Sequence, residues 1–140
     1  MKKTIILLLN VMIISLSYSC NAQSTKESGS DALSKGDKVA VYYFHYTKRC
    51  VTCKAVEEES KKAVQDLYPE AYNKGMIAFH SLNLEEEKGK STAEKFTVAG
   101  QTLLIVKDDK TVNLTNEGFM YARSNPEKFR KAIQEAIGEL

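Results

Sequence analysis

Residues 39–54 read VAVYYFHYTKRCVTCK, and this stretch decides how the chain folds. Residues 39–46 are a continuous run of mainly β-branched and aromatic side chains. Such a run predicts a strand that is buried on both faces, as in a parallel sheet. A short turn over residues 47–49 follows, and Cys50 then opens a helical pattern. The stretch therefore predicts a strand that leads directly into a helix, with a Cys-x-x-Cys motif where the helix begins.

The remaining sequence continues the alternation of strands and helices. Beyond the first helix, which Pro69 helps to end, we predict a strand at 76–84, a helix at 85–96, a strand at 102–106, its hairpin partner at 111–114 and a last helix starting at 125–127. Two strand–helix–strand units and an antiparallel hairpin predict an α/β fold: a mixed central sheet with helices on both faces.

The length and charge of the chain limit its class. The 140 residues suffice for one domain. The formal net charge of +2 comes from 20 basic and 18 acidic residues, and Lys2 and Lys3 account for the excess. A neutral domain with interspersed charges lacks the basic surface that nucleic-acid binding requires, so no nucleic acid is expected as a partner.

The N-terminus has the pattern of a targeting segment. Lys2 and Lys3 precede an apolar stretch at 5–16, which is shorter than the ~20 residues that span a bilayer. We interpret residues 1–19 as a secretory signal peptide and expect an exported protein.

Cys20 follows this segment in a context that resembles a bacterial lipoprotein box. That resemblance implies that Cys20 carries lipid and that residues 20–37, which are polar and rich in serine, tether a domain at 38–140 to a membrane. We expect a periplasmic, membrane-anchored lipoprotein. The alternative is cleavage after Ala22, which would release a soluble periplasmic protein.

Cys50 and Cys53 are the residues with the most specific chemistry. At a helix N-terminus, free N–H groups and the helix dipole lower the pKa of a thiol, and Arg49 and Lys54 add positive charge. We predict that Cys50 attacks as a thiolate and that Cys53, one turn later, resolves the mixed disulfide.

The two histidines and the carboxylates of the first helix are expected to have structural roles rather than catalytic ones. His45, five residues before Cys50, is expected to be a packing residue. The alternative is that it tunes the cysteine pair or accepts a proton from it. His80 is expected to be structural. Glu57, Glu58 and Glu59 are expected on an exposed helix face, paired with lysines.

The strand, the Cys-x-x-Cys helix, the strand at 102–106 with its hairpin, and the last helix together resemble the thioredoxin-fold superfamily over residues 38–140. Residues 42–54 resemble one branch more closely, the exported thioredoxin-like small subunits of nitrophenyl-compound nitroreductases. The resemblance implies a thioredoxin-like fold and electron transfer through the Cys50–Cys53 dithiol to a reductive system. It also implies that a membrane thiol–disulfide transporter or a dedicated redox partner protein exchanges electrons with the chain. No organic cofactor is expected beyond the redox-active disulfide, because the sequence has no Gly-rich phosphate loop.

Three positions depart from the thioredoxin pattern. Arg49 replaces a tryptophan, which should make the pair more oxidising by favouring the thiolate. Phe44 replaces a buried acid. Gln101, before Thr102 in the loop that faces the Cys-x-x-Cys motif, replaces a cis-proline, so we expect a trans bond here. The last departure favours a dedicated partner over a broad range of clients.

Two other kinds of function stay open from the sequence. Cys50 and Cys53 could bind a thiophilic metal or metalloid without turnover, although two thiolates supply only half of a tetrahedral zinc site. The domain could also be a non-catalytic interaction module.

Overall fold

The computed structural model describes residues 38–140. The predicted signal peptide, Cys20 and the tether lie outside the described residues. The elements follow in the order β1 (Val39–His45), α1 (Val51–Leu67), α2 (Pro69–Asn73), β2 (Ile77–Asn83), α3 (Glu87–Lys95), β3 (Thr102–Lys107), β4 (Lys110–Asn113), α4 (Thr115–Tyr121) and α5 (Pro126–Glu139). Across these residues, no helix is both long and apolar enough to cross a membrane.

The four strands form one mixed sheet in the order β2-β1-β3-β4. β1 runs parallel to β2, with Val39 opposite Ile77, and antiparallel to β3, with Phe44 opposite Thr102. β3 and β4 form the predicted hairpin. β1 is therefore a central strand, and it is apolar on both faces because helices cover both faces of the sheet.

Helices cover both faces of this sheet, as the sequence predicts. On one face, α1 and α5 pack on β1 and β3 through fully buried side chains such as Val56, Phe129 and Ile133. Each such side chain contributes about 1.5–3 kcal/mol on burial. On the other face, α3 places Ala93 against Phe44 and Leu104. The predicted fold class, α/β with a mixed central sheet and helices on both faces, is confirmed.

Gly89 allows α3 to approach the sheet closely. A Cβ atom built at this position would lie 1.8 Å from the backbone oxygen of Asn83, at the end of β2. No side chain fits there, so the glycine that weakens the helical pattern is the residue that lets the helix dock.

Two short helices are absent from the sequence prediction. Pro69 follows the end of α1 as expected, but it also starts α2, where a proline is favourable at the first position. α4 begins after Asn113, whose side-chain oxygen accepts hydrogen bonds from the backbone and the hydroxyl of Thr115, at 3.0 and 2.6 Å. α4 then packs on α1, with Gly118 against Val56.

Candidate redox site

Cys50 and Cys53 form a disulfide at the start of α1, with their Cα atoms 5.1 Å apart. Cys50 is the N-cap of the helix: its backbone is extended, and its Sγ accepts a hydrogen bond from the backbone N–H of Cys53 at 3.1 Å. An N-cap acceptor satisfies one of the free N–H groups at the helix end. In the reduced state the same N–H and the helix dipole would stabilise a thiolate on Cys50.

The two sulfur-bearing residues differ in their access to solvent. Cys50 is exposed, whereas only 3% of Cys53 is accessible. An incoming disulfide can therefore reach Cys50, and Cys53 lies behind it within bonding distance. A nucleophilic cysteine must be accessible and a resolving cysteine must lie protected beside it, and Cys50 and Cys53 meet these two conditions.

The turn before the site is held by polar contacts to the loop after β2. The backbone N–H of Thr47 donates to the Glu85 carboxylate at 2.7 Å, and the Asn83 amide donates to the Thr47 hydroxyl at 2.8 Å. The hydrogen bonds from Thr47 lower the pKa of Glu85. These contacts fix the chain between the end of β1 and Cys50.

Arg49 forms an ion pair with Glu57, two turns into α1. The side chains of both residues are about three-quarters buried, with 25% and 23% accessible. The expectation that Glu57 faces solvent and pairs with a lysine is therefore wrong: the approach of the chain to α1 brings Arg49 over the helix. The carboxylate offsets the positive charge that Arg49 offers to Cys50.

Tyr43 lies close enough to this ion pair to feel its charges. The residue is fully buried, and its hydroxyl has no hydrogen-bond partner within the described part of the chain. Burial, and to a smaller extent the negative charge of Glu57, raise the pKa of Tyr43 to about 12, although the positive charge of Arg49 opposes the rise. The sequence did not place Tyr43 or Glu57 beside the site, because only the fold brings them close to Arg49.

His45 has both ring nitrogens occupied. Nδ1 lies 3.0 Å from the backbone oxygen of Tyr46, and Nε2 lies 2.9 Å from the hydroxyl of Ser81. A carbonyl oxygen only accepts, so Nδ1 carries the proton and Nε2 accepts from Ser81 in the neutral ring. His45 is therefore a buried residue whose hydrogen bond to Ser81 links β1 to β2.

The remaining predicted site residues, Lys54, Gln101 and Thr102, lie near the Cys-x-x-Cys motif. Lys54 is exposed, and its backbone N–H donates to the Cys50 oxygen at 3.1 Å. Gln101 and Thr102 are half-buried at the start of β3, beside the end of β1 that leads to Cys50. No cis peptide bond occurs among residues 38–140, so the bond before Gln101 is trans, as expected.

The described residues contain no group of three or more His, Cys, Asp or Glu side chains arranged to hold a metal ion.

Comparison with known proteins adds little to this picture. No protein-family model and no curated protein matches the sequence. A solved structure described as "Structure of a malarial protein" is similar, with 28% sequence identity, a TM-score of 0.39, and coverage of 53% of this chain and 74% of that chain.

Proposed function

We propose that this chain is an exported, thioredoxin-like thiol–disulfide oxidoreductase that carries electrons through Cys50 and Cys53. The observation that carries the proposal is the position of the pair: an exposed cysteine caps the helix, and its buried partner lies one turn later. A Cys-x-x-Cys disulfide closes a very short loop, and the chain-entropy account of disulfide stabilisation favours long loops. Reversible chemistry explains the motif better than stabilisation does.

The reaction is an exchange of two electrons and two protons between a dithiol and a disulfide. The Cys50 thiolate attacks a sulfur of the partner's disulfide, forms a mixed disulfide and expels one partner thiolate. Cys53 then loses its proton and attacks Cys50 Sγ, which closes the Cys50–Cys53 disulfide and releases the second partner thiolate. The partner is thereby reduced and this chain is oxidised. The reverse sequence oxidises a partner dithiol.

The ion pair beside the site tunes this exchange. Arg49 favours the Cys50 thiolate, and Glu57 limits the effect by neutralising the guanidinium charge. Lys54 adds an exposed positive charge in the first turn. Gln101 and Thr102 form the loop that faces the incoming partner. His45 acts through the packing of β1 rather than as a proton acceptor.

The proposal extends to the partner and the location of the chain. The lipoprotein-like context of Cys20 and the polar segment 20–37 support a domain held at a periplasmic membrane surface. There, a membrane thiol–disulfide transporter would exchange electrons with the domain, which would serve as the small subunit of a nitroreductase-type system. The similarity of residues 42–54 to that branch supports this assignment.

Trapping of mixed disulfides tests the function. In the full chain, Cys53→Ser leaves an attacking thiol with no resolving thiol, so it should accumulate a reducible covalent complex with its partner protein. Cys50→Ser is the matched control and should accumulate none. The absence of any complex with Cys53→Ser, together with tight binding of a thiophilic metal by the reduced chain, would instead favour a thiolate binding module.

A further inference from the structure

A cavity of about 230 Å³ lies between α3 and the face of the sheet that points away from α1. Its walls come from β1, β2 and α3, and we call it the α3 cleft: Tyr42, His80, Lys88, Thr92, Lys95 and Phe96 are its principal lining residues. It lies across the sheet from the helix that carries the disulfide, and the proposed redox chemistry does not use it.

Flat rings form the walls of the α3 cleft. The Tyr42 ring stacks on His80, with 5.0 Å between centroids and 22° between planes. The Phe96 ring lies 5.2 Å from Tyr42 at 42°. The register of the parallel strands places Tyr42 directly opposite His80, so the pair is fixed by the sheet. Offset and tilted arrangements of this kind are the ones that aromatic rings prefer, and they give the cleft an aromatic wall.

Positive charge accumulates on the α3 side of the cleft. Lys88, Thr92 and Lys95 follow one another at helical spacing, so they share one face of α3. Lys88 makes no ion pair with any residue in 38–140, and Lys95 lies over the Phe96 ring at 5.5 Å. No acidic side chain lines the cleft. Burial, and then the charge of Lys88, lower the pKa of His80. The cleft thus combines aromatic rings with lysine charges that no acidic side chain in its lining neutralises.

We propose that the α3 cleft binds a small planar carboxylate, of the size of a single aromatic ring with one acid group. The volume equals about eight water molecules in the liquid, which is enough for one ring. The ring of the ligand lies against Tyr42 and Phe96, and the carboxylate accepts from the ammonium groups of Lys88 and Lys95. This inference is independent of the proposed redox function.

The chain contains only two histidines, which gives a direct test by NMR. Benzoate is titrated into the full chain while the ring signals of His80 and His45 are followed. We expect the His80 signals to move saturably and the pKa of His80 to rise, because a bound anion favours the imidazolium. His45 is the internal control: it lies three residues after Tyr42 in β1, on the opposite face of the strand and beside Tyr43, so its signals should stay in place.

Ligand and protein variants separate charge from shape. Benzamide has the ring without the charge and acetate the charge without the ring, so both should bind more weakly than benzoate. Lys88→Gln and Lys95→Gln should each weaken benzoate binding roughly two- to fivefold, the range for a partly exposed ion pair. Lys90→Gln, an exposed lysine of α3 outside the cleft, should leave it unchanged.

Three results would overturn the proposal. The His80 signals could fail to saturate with millimolar benzoate; benzamide or acetate could produce the same saturable shift; or Lys90→Gln could weaken binding as much as Lys88→Gln does. Unchanged His45 signals in each variant show that the fold is intact.

Discussion

Replacing one cysteine at a time tests the assignment of roles within the pair. In a full chain that carries Cys20→Ser, Cys53→Ser leaves only the Cys50 thiol, and Cys50→Ser leaves only the Cys53 thiol. The backbone N–H at position 53, which donates to Cys50 Sγ at 3.1 Å, survives the first replacement. The structure therefore predicts a reactive Cys50 and a protected Cys53.

The size of the effect follows from that hydrogen bond. A hydrogen bond to a charged acceptor contributes about 1.5–3 kcal/mol, which favours the thiolate roughly ten- to a hundredfold, since 1.36 kcal/mol is a factor of ten. A more stable thiolate is a weaker nucleophile, and a Brønsted slope of about 0.5 removes half of this gain on the logarithmic scale. Below the ordinary pKa of a thiol, Cys50 should thus react about three- to tenfold faster than a short cysteine peptide.

Alkylation by iodoacetamide at pH 6 measures both rates. Cys53, with 3% of its surface accessible, should react roughly tenfold or more slowly than Cys50, because the helix start must open first. The rate for Cys50 should also level off at lower pH than that of the peptide. If Cys53 reacts as fast as Cys50, or if Cys50 reacts no faster than the peptide, the assignment of attacking and resolving thiols is wrong.

Three further variants probe the surroundings of the site. Gly89→Ala should lower the free energy of unfolding by about 1–3 kcal/mol, because its Cβ would lie 1.8 Å from a backbone oxygen; urea denaturation measures this. Glu57→Gln frees the charge of Arg49 and should raise the reduction potential of the disulfide by about 10–20 mV, equivalent to roughly 0.5–1 kcal/mol, in glutathione buffers. Tyr43→Phe removes a buried hydroxyl without a partner and should raise the free energy of unfolding by about 1 kcal/mol at pH 7. Because the pKa of Tyr43 is about 12 when folded and 10.0 otherwise, the wild type loses stability as pH rises from 10 to 12, and the advantage of the variant should grow by about 1 kcal/mol at pH 11.

Matched controls distinguish these effects from general ones. Gly138→Ala adds a Cβ that meets nothing within 4 Å, so it should leave stability unchanged or raise it by up to about 1 kcal/mol. If Gly89→Ala is as harmless, α3 does not dock as described. Glu58→Gln removes an exposed carboxylate and should not shift the potential; an equal shift would refute a specific role for Glu57. A loss of stability in Tyr43→Phe would mean that the hydroxyl has a partner.

The strand–helix junction was predictable because its signals are local. β1 has an apolar run, α1 has a periodic face, and the Cys-x-x-Cys motif falls between them. The same reasoning placed β3 and α5, whose capping Asn125 accepts from the backbone N–H of Lys128. In each case, neighbouring residues determine the element.

The elements and contacts that the sequence did not predict depend on the three-dimensional fold and not on local sequence patterns. α4 has seven residues and no long apolar repeat, and it is secured by Gly118 packing on Val56. Glu57 pairs with Arg49 only because the turn before α1 folds back over the helix. The α3 cleft needs the register that sets Tyr42 against a histidine on the neighbouring strand, and no spacing within the sequence reveals it.

The reduction potential of the Cys50–Cys53 pair tests the central claim most directly. The full chain carrying Cys20→Ser is equilibrated in glutathione buffers, and the fraction of disulfide is measured by thiol labelling. We predict a reversible two-electron transition within the range of known oxidoreductases, about −270 to −120 mV. A pair that stays oxidised below about −300 mV, or that shows no reversible transition, would contradict the account and identify a structural disulfide.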